Sequence, residues 1–348
     1  MKHKLTTAFL ITALLFSGCS SGEKTTAEEQ HEATETIFAM DTTMTITAYG
    51  ENAEDAVDAA AAEIAKLDRL FSVTDENSDI YKLNTEKTAQ VSEDTYNLIE
   101  EALSCSERTN HILNPAIYPV VKAWGFTTGN YRIPGEEELN SLKTHIDPNK
   151  IVLDNETMTA AITDPELEID LGSVAKGYTS GKISELFNEM GIQSGIISLG
   201  GNVQTIGKKT DGSQWRVAVL DPKNQSEYAG IIETDNKAVI TSGDYQRFFE
   251  ENGKIYHHII DPSTCAPAES GLSSVTIVSE NSTAADAYST ALFIMGKEKA
   301  ADFWRQNKDD FDAVFITNKG EIFITEGLQD CFTPTDKNKK AEIISAEN

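Results

Sequence analysis

Residues 237–278 read KAVITSGDYQRFFEENGKIYHHIIDPSTCAPAESGLSSVTIV. Three strand-like runs lie in this stretch, at 237–241, 255–260 and 273–278, parted by Gly, Asn, Asp and Pro and by no helical segment. Strands that succeed one another without an intervening helix pair antiparallel, because a parallel pair needs a long crossover. Runs at 195–199 and 215–220 extend the series upstream, Met44 to Gly50 alternates as a strand ending in a Gly turn, and 314–317 with 322–325 flank Asn318-Lys319-Gly320 as a hairpin. Helices are spaced among these strands. Val57, Ala60, Ile64, Leu67 and Phe71 fall on one face of residues 53–71, and residues 93–110 give a second helix. Ile183, Leu186, Phe187 and Met190 line a third at 174–190, which Gly191 is placed to end, and 284–295 gives a fourth. The pattern predicts an α+β fold, a mostly antiparallel sheet with flanking helices, over residues 36–333. The polar residues 334–348 are expected to form a disordered tail.

The chain opens with Lys2 and Lys4, continues through an apolar run from Leu5 to Phe16, and reaches Ser17-Gly18-Cys19, the order of a secretory signal. That run is too short to span a bilayer. A Cys directly after two small residues has the bacterial lipobox arrangement, in which residues 1–18 are removed and Cys19 is acylated; an ordinary signal peptide with an incidental Cys is the alternative. Phe16 stands where a lipobox usually has a smaller aliphatic. Residues 19–35 offer almost nothing to bury and are expected to be a flexible tether. The expectation is therefore an extracytoplasmic lipoprotein held at a membrane through a lipid anchor.

The formal charge of the chain is -27, and loss of Lys2 and Lys4 lowers its 29 basic residues to 27 against 56 acidic ones. Such a balance excludes nucleic acid as a partner. Besides Cys19 only Cys105, Cys265 and Cys331 occur, with no CxxC pair, so a disulfide framework is not expected.

Four polar clusters stand at element ends. Asp170-Leu171-Gly172-Ser173 leads into a helix carrying Lys176, a junction that aims backbone amides and a positive helix end at an anion, though Gly-Ser before a helix also serves plain capping. Leu199-Gly200-Gly201-Asn202 follows a strand, where paired glycines either let a ligand approach the backbone or simply make a turn. Thr241-Ser242-Gly243-Asp244-Tyr245 is followed by His257-His258-Ile259-Ile260-Asp261-Pro262; strand alternation sends the two His to opposite faces, so one of them can belong to a given site. Asp286 and Thr290 are four apart near a helix start and share a face, offering a carboxylate and a hydroxyl to a hard cation, or else a helix-dipole partner and filler.

In order and wording these clusters resemble the ApbE family of FAD:protein FMN transferases. The resemblance also takes in Phe38-Ala39-Met40-Asp41-Thr42, Phe71-Ser72 with Ser78-Asp79-Ile80 and Leu83-Asn84, and Ala123-Trp124-Gly125-Phe126, and it covers residues 36–325. It implies an enzyme that binds FAD with a divalent metal, normally Mg2+, and moves FMN onto a Ser or Thr of an acceptor protein carrying a flavinylation motif, with release of AMP. Carried over by position, Asp286 and Thr290 are side-chain metal ligands, with Ser173 and Ser289 completing the shell. Met40, Trp124, Gly125, Phe126, Asp170, Lys176 and Ile260 line the FAD site. His258 is the candidate base for the acceptor hydroxyl, since its ordinary pKa lies near neutrality. Two positions depart from the family pattern: Thr74 stands where an aromatic is usual, and Cys265 where Gly is usual. The competing readings are a metal-dependent FAD pyrophosphatase giving FMN and AMP, and a flavin-binding lipoprotein without catalysis.

Overall fold

The structure, a computed structural model, describes residues 31–336 and 340–347. Cys19, the signal at 1–18 and most of the expected tether lie outside the described residues.

A nine-stranded sheet runs in the order Glu32–Ala39, Thr42–Tyr49, Ser194–Leu199, Asn202–Ile206, Ala238–Gly243, Leu272–Ser279, Asp312–Thr317, Ile322–Thr325 and Ala341–Ile344. Every neighbouring pair is antiparallel except the last, which is parallel. The fold is α+β, as the succession of strands predicts.

Side-chain alternation lets this one sheet serve two cores. Ala238, Ile240, Val275 and Ile277 pack toward the helices Ser282–Met295 and Glu93–Arg108. Val239 and Val278 face the opposite way, onto Val217, Val219 and Ile232 of a three-stranded sheet made by Trp215–Asp221, Asn224–Thr234 and Phe332–Pro334. With both faces covered, the Leu272–Ser279 strand is buried at every position. The helix Ala53–Phe71 buries the predicted Val57, Ala60, Ile64, Leu67 and Phe71. Leu67 is fully enclosed, so its truncation to Ala would cost about 2–5 kcal/mol.

Three expectations need correction. Residues 32–35 belong to the Glu32–Ala39 edge strand and not to the tether, because Glu32 to Glu35 pair with Tyr49 to Ile46. The tail is not disordered throughout: Ala341–Ile344 adds to the far edge of the sheet and buries Ile344. The run at 255–260 is broken, since Lys254–His257 pairs in a hairpin with Phe248–Glu251 whereas Ile260–Asp261 pairs with Ala266–Pro267. No helix among the described residues is long and apolar enough to cross a membrane.

Candidate active site

Two helix starts meet at the centre of the site. The first amides of any α-helix lack intrahelical acceptors, and in the helix Ala175–Glu189 no side chain at the N-cap, Val174, takes them. Asp286 of the helix Ser282–Met295 does so from outside: the Gly177 amide donates to Asp286 Oδ2 at 2.8 Å, and the Ser282 hydroxyl donates to the Gly177 carbonyl at 2.6 Å. The helices come this close because position 177 has no Cβ; one placed there would lie 2.3 Å from the Ser282 carbonyl oxygen and 2.7 Å from Asp286 Cβ. The Gly177 amide is thus aimed at the chain's own carboxylate, where the sequence pattern pointed to a bound anion.

The other carboxylate oxygen, Oδ1, accepts from Asn202 Nδ2 at 3.0 Å. Gly200 and Gly201, at φ +62° and +97°, make the two-residue turn that swings Asn202 into this position at the start of its strand. Of the two readings of the Gly pair, the turn is the one the fold uses. Asp286 is buried, and burial pushes its carboxyl above the ordinary carboxylate range, opposed by the Lys176 charge and by the Gly177 and Asn202 donors.

Asp286 and Thr290 face a solvent-open cavity that is also lined by Asp170, Ser173, Lys176, His258 and Ile260. One Asp170 oxygen accepts the Gly172 amide at 2.7 Å. The remaining sequence candidates lie outside this lining. Ser289 is fully buried one step behind Thr290, its hydroxyl donating to the Asp286 carbonyl at 2.8 Å. Met40 sits over the Ala175–Glu189 helix, its amide donating to Asp68 Oδ1 and its sulfur 4.0 Å from the Thr179 hydroxyl. Trp124 and Phe126 are buried behind the wall, and Gly125 ends the helix Tyr118–Trp124 in a left-handed conformation. Trp124 Nε1 donates to the Cys265 carbonyl at 2.8 Å, and Cys265 holds φ +55°, the left-handed geometry that a Gly would supply. Phe126 presents its edge to the His258 ring at 6.4 Å. Thr74 serves its own loop, where its amide donates to Ser72 Oγ.

The two histidines part company as alternation requires. His257 turns into the core, with Nε2 at 3.0 Å from the Ala268 carbonyl and its ring edge on Phe293. His258 faces the cavity, with Nδ1 at 3.1 Å from the Arg247 carbonyl. A carbonyl only accepts, so Nδ1 carries the proton and Nε2 is left with its lone pair. Burial, reinforced by the Arg247 charge, pushes the His258 pKa down to about 3, so the ring is neutral throughout the physiological range. Arg247 and Gln246 line the cavity as well, and neither Lys176 nor Arg247 forms an ion pair with a carboxylate among the described residues.

The donor set facing the cavity is oxygen: the Asp286 carboxylate and the Thr290 and Ser173 hydroxyls. No group of three or more His, Cys, Asp or Glu that could hold a metal ion occurs among the described residues, so a cation here would rest on a single carboxylate. One carboxylate with hydroxyls fits a hard cation such as Mg2+, which takes its other ligands from phosphate and water. Asn202 and Ser242 stood in the polar clusters of the sequence without an assigned role, and Gln246 and Arg247 were not singled out at all. A signal existed for Arg247, a basic side chain close after Ser242-Gly243-Asp244 in a strongly acidic chain. Nothing in the sequence showed that Asn202 reaches a residue 84 positions away.

Comparison with known proteins gives the family and the fold. A family model described as the ApbE family matches residues 40–315. An FAD:protein FMN transferase of Klebsiella pneumoniae (strain 342) is 30% identical over 277 residues, covering 78% of this chain and 85% of that protein. Its counterpart in Treponema pallidum (strain Nichols) is 30% identical over 303 residues, covering 81% and 83%. The crystal structure of the ApbE protein from Thermotoga maritima superposes with a TM-score of 0.81 at 31% identity, over 86% of this chain and 99% of that one. The flavin transferase ApbE from Vibrio cholerae shares the fold, with a TM-score of 0.77 at 24% identity over 87% of this chain and 99% of that one. A matched family model over most of the chain, together with relatives of this identity and coverage, establishes that the chain belongs to the ApbE family.

Proposed function

We propose that this chain is a metal-dependent FAD:protein FMN transferase, which moves the FMN half of FAD onto a Ser or Thr hydroxyl of an acceptor protein outside the cytoplasm and releases AMP. The observation that carries the reading is the convergence, in one open cavity, of the Asp286 and Thr290 oxygens, two cations without ion-pair partners among the described residues, Lys176 and Arg247, and a neutral His258. The Klebsiella and Treponema relatives are FAD:protein FMN transferases by name, which supports the transfer itself.

Phosphoryl-type transfer asks little covalent chemistry of a protein and much charge neutralisation. The acceptor oxygen attacks the FMN-side phosphorus, the bond from that phosphorus to the bridging oxygen breaks, and AMP leaves with that oxygen. The hydroxyl proton passes to His258 Nε2. A ring held near pKa 3 by burial and the Arg247 charge is a weak base, and the phosphate charge of bound FAD raises its proton affinity at the moment it is needed. Lys176 and Arg247 neutralise pyrophosphate charge. Asp286, Thr290 and Ser173 would hold the divalent cation, which when bound supplies Lewis-acid polarisation of the phosphate oxygens. Residues 1–19 read as a lipoprotein signal ending in an acylated Cys19, which would keep the enzyme at a membrane near anchored acceptors at high local concentration.

The test is to incubate the protein with FAD, Mg2+ and an acceptor domain bearing a flavinylation motif, and to follow flavin and nucleotide separately. Transfer gives protein-bound flavin and AMP in equal amounts. Free FMN with AMP would mean that water is the acceptor, and unchanged FAD would mean binding alone.

A further inference from the structure

Three hydroxyls, two of them on the cavity wall, form a chain whose proton directions can be assigned. Ser289 Oγ lies 2.8 Å from the Asp286 carbonyl, which can only accept, so the single Ser289 proton is committed there. Ser289 Oγ must then accept from Ser242 Oγ, its other partner at 2.8 Å. That commits the one proton of Ser242, so the contact at 3.1 Å between Ser242 and Thr290 is made with Thr290 as donor. Thr290 Oγ1 is left with no proton to give and with its lone pairs unused. Ser289 is fully enclosed, whereas Ser242 and Thr290 both stand on the cavity wall, Thr290 the more exposed of the two.

We propose that Ser242 is a positioning residue: by accepting the Thr290 proton within a one-way hydroxyl relay, it presents Thr290 to the cavity as a pure acceptor for a divalent cation. A free threonine hydroxyl rotates and offers its proton as readily as its lone pairs, and the proton end repels a cation. The relay removes that choice in advance, so no reorientation is needed when the cation arrives. The strand Ala238–Gly243 thereby acts on a ligand carried by the helix Ser282–Met295. The inference rests on the cation reading of Asp286 and Thr290 and adds to it a residue that is not a ligand.

The test is direct metal binding, independent of turnover: Mn2+ is titrated into the full chain, with and without FAD, and bound ion is counted by electron paramagnetic resonance. Wild type, Ser242→Ala, Thr290→Val and the double variant are compared, each checked for an unchanged far-ultraviolet circular dichroism spectrum. Ser242→Ala should weaken Mn2+ binding about tenfold, the range seen when a group orienting a metal ligand is lost. In the double variant the Ser242 effect should vanish, because its target hydroxyl is gone. Thr290→Ser, which keeps the relay, should bind nearly as wild type, and Ser242→Ala in that background should again weaken binding. Equal Mn2+ affinity in wild type and Ser242→Ala would overturn the relay while leaving the cation site intact. Additive losses in the double variant would also overturn it, by showing that Ser242 acts elsewhere. A wild-type chain that binds no Mn2+ would overturn the cation site and the relay together, without bearing on flavin transfer.

Discussion

The Gly177 amide donates to Asp286 Oδ2 at 2.8 Å across the junction of two helices, so the carboxylate that faces the cavity also satisfies the start of the Ala175–Glu189 helix. Fold and site share this contact. It ties the geometry of the proposed cation ligand to the packing of the helices rather than to a loop.

Substitution of Gly177 is therefore expected to act on stability and activity together. In Gly177→Ala the new Cβ would meet the Ser282 carbonyl at 2.3 Å, and backbone atoms on both helices would have to part. Overpacking of this kind costs about 1–3 kcal/mol. Chemical denaturation should show that loss, and FMN transfer by the folded fraction should fall as well because Asp286 moves. Wild-type stability in Gly177→Ala would show that the helix crossing has room for a Cβ.

The histidine pair makes stability depend on pH in a defined direction. His258 titrates near 6.5 when unperturbed and at about 3 in the fold, and burial lowers the His257 pKa too. As pH falls below about 6.5 the unfolded chain takes up protons that the folded one refuses, so this contribution is fully present above 6.5 and is lost on acidification. Melting temperatures measured from about pH 7.5 to pH 4.5 should decline less in His258→Gln than in wild type. Parallel declines would contradict a His258 that stays neutral in the fold.

Cys265 takes a left-handed conformation at φ +55° and gives its carbonyl to Trp124 Nε1. A residue with a Cβ is strained there by about 1–2 kcal/mol. Cys265→Gly removes the strain but also a buried side chain, so its stability should lie within about 1 kcal/mol of wild type. Cys265→Val puts a β-branched residue at positive φ and should be clearly less stable, with altered Trp fluorescence. A Val variant as stable as the Gly variant would argue against backbone strain at this turn.

If Cys19 carries the lipid, Cys19→Ala should move the protein from the membrane fraction to the soluble one. Transfer to a soluble acceptor domain should be preserved and transfer to membrane-anchored acceptors reduced. Membrane retention of the variant would argue for attachment by other means.

The helix Ala53–Phe71 and the strand Ser194–Leu199 were legible because an amphipathic face and an apolar run leave a periodic trace in the sequence. The strand Ala341–Ile344 was not, since it pairs at an edge through backbone atoms and fully buries only Ile344. The site divides along the same line. Asp286 and Thr290 share a helix face, and four-residue spacing shows that directly. Asn202 and Ser242 reach the same point from separate strands, through contacts spanning 84 and 48 positions, and no local pattern encodes such distances. Met40 and Trp124 carry family wording, yet their side chains lie outside the cavity lining.

The central claim is that the Asp286-centred cavity transfers FMN to a protein hydroxyl. Its most direct test is the intact mass of an acceptor domain with a single flavinylation motif after incubation with FAD and Mg2+, using wild type and Asp286→Ala. Wild type should add one FMN unit to the acceptor, and Asp286→Ala should slow this a hundredfold or more, as loss of several kcal/mol of charge stabilisation requires. An acceptor left at its original mass while wild type consumes FAD, or one modified equally fast by Asp286→Ala, would contradict the claim.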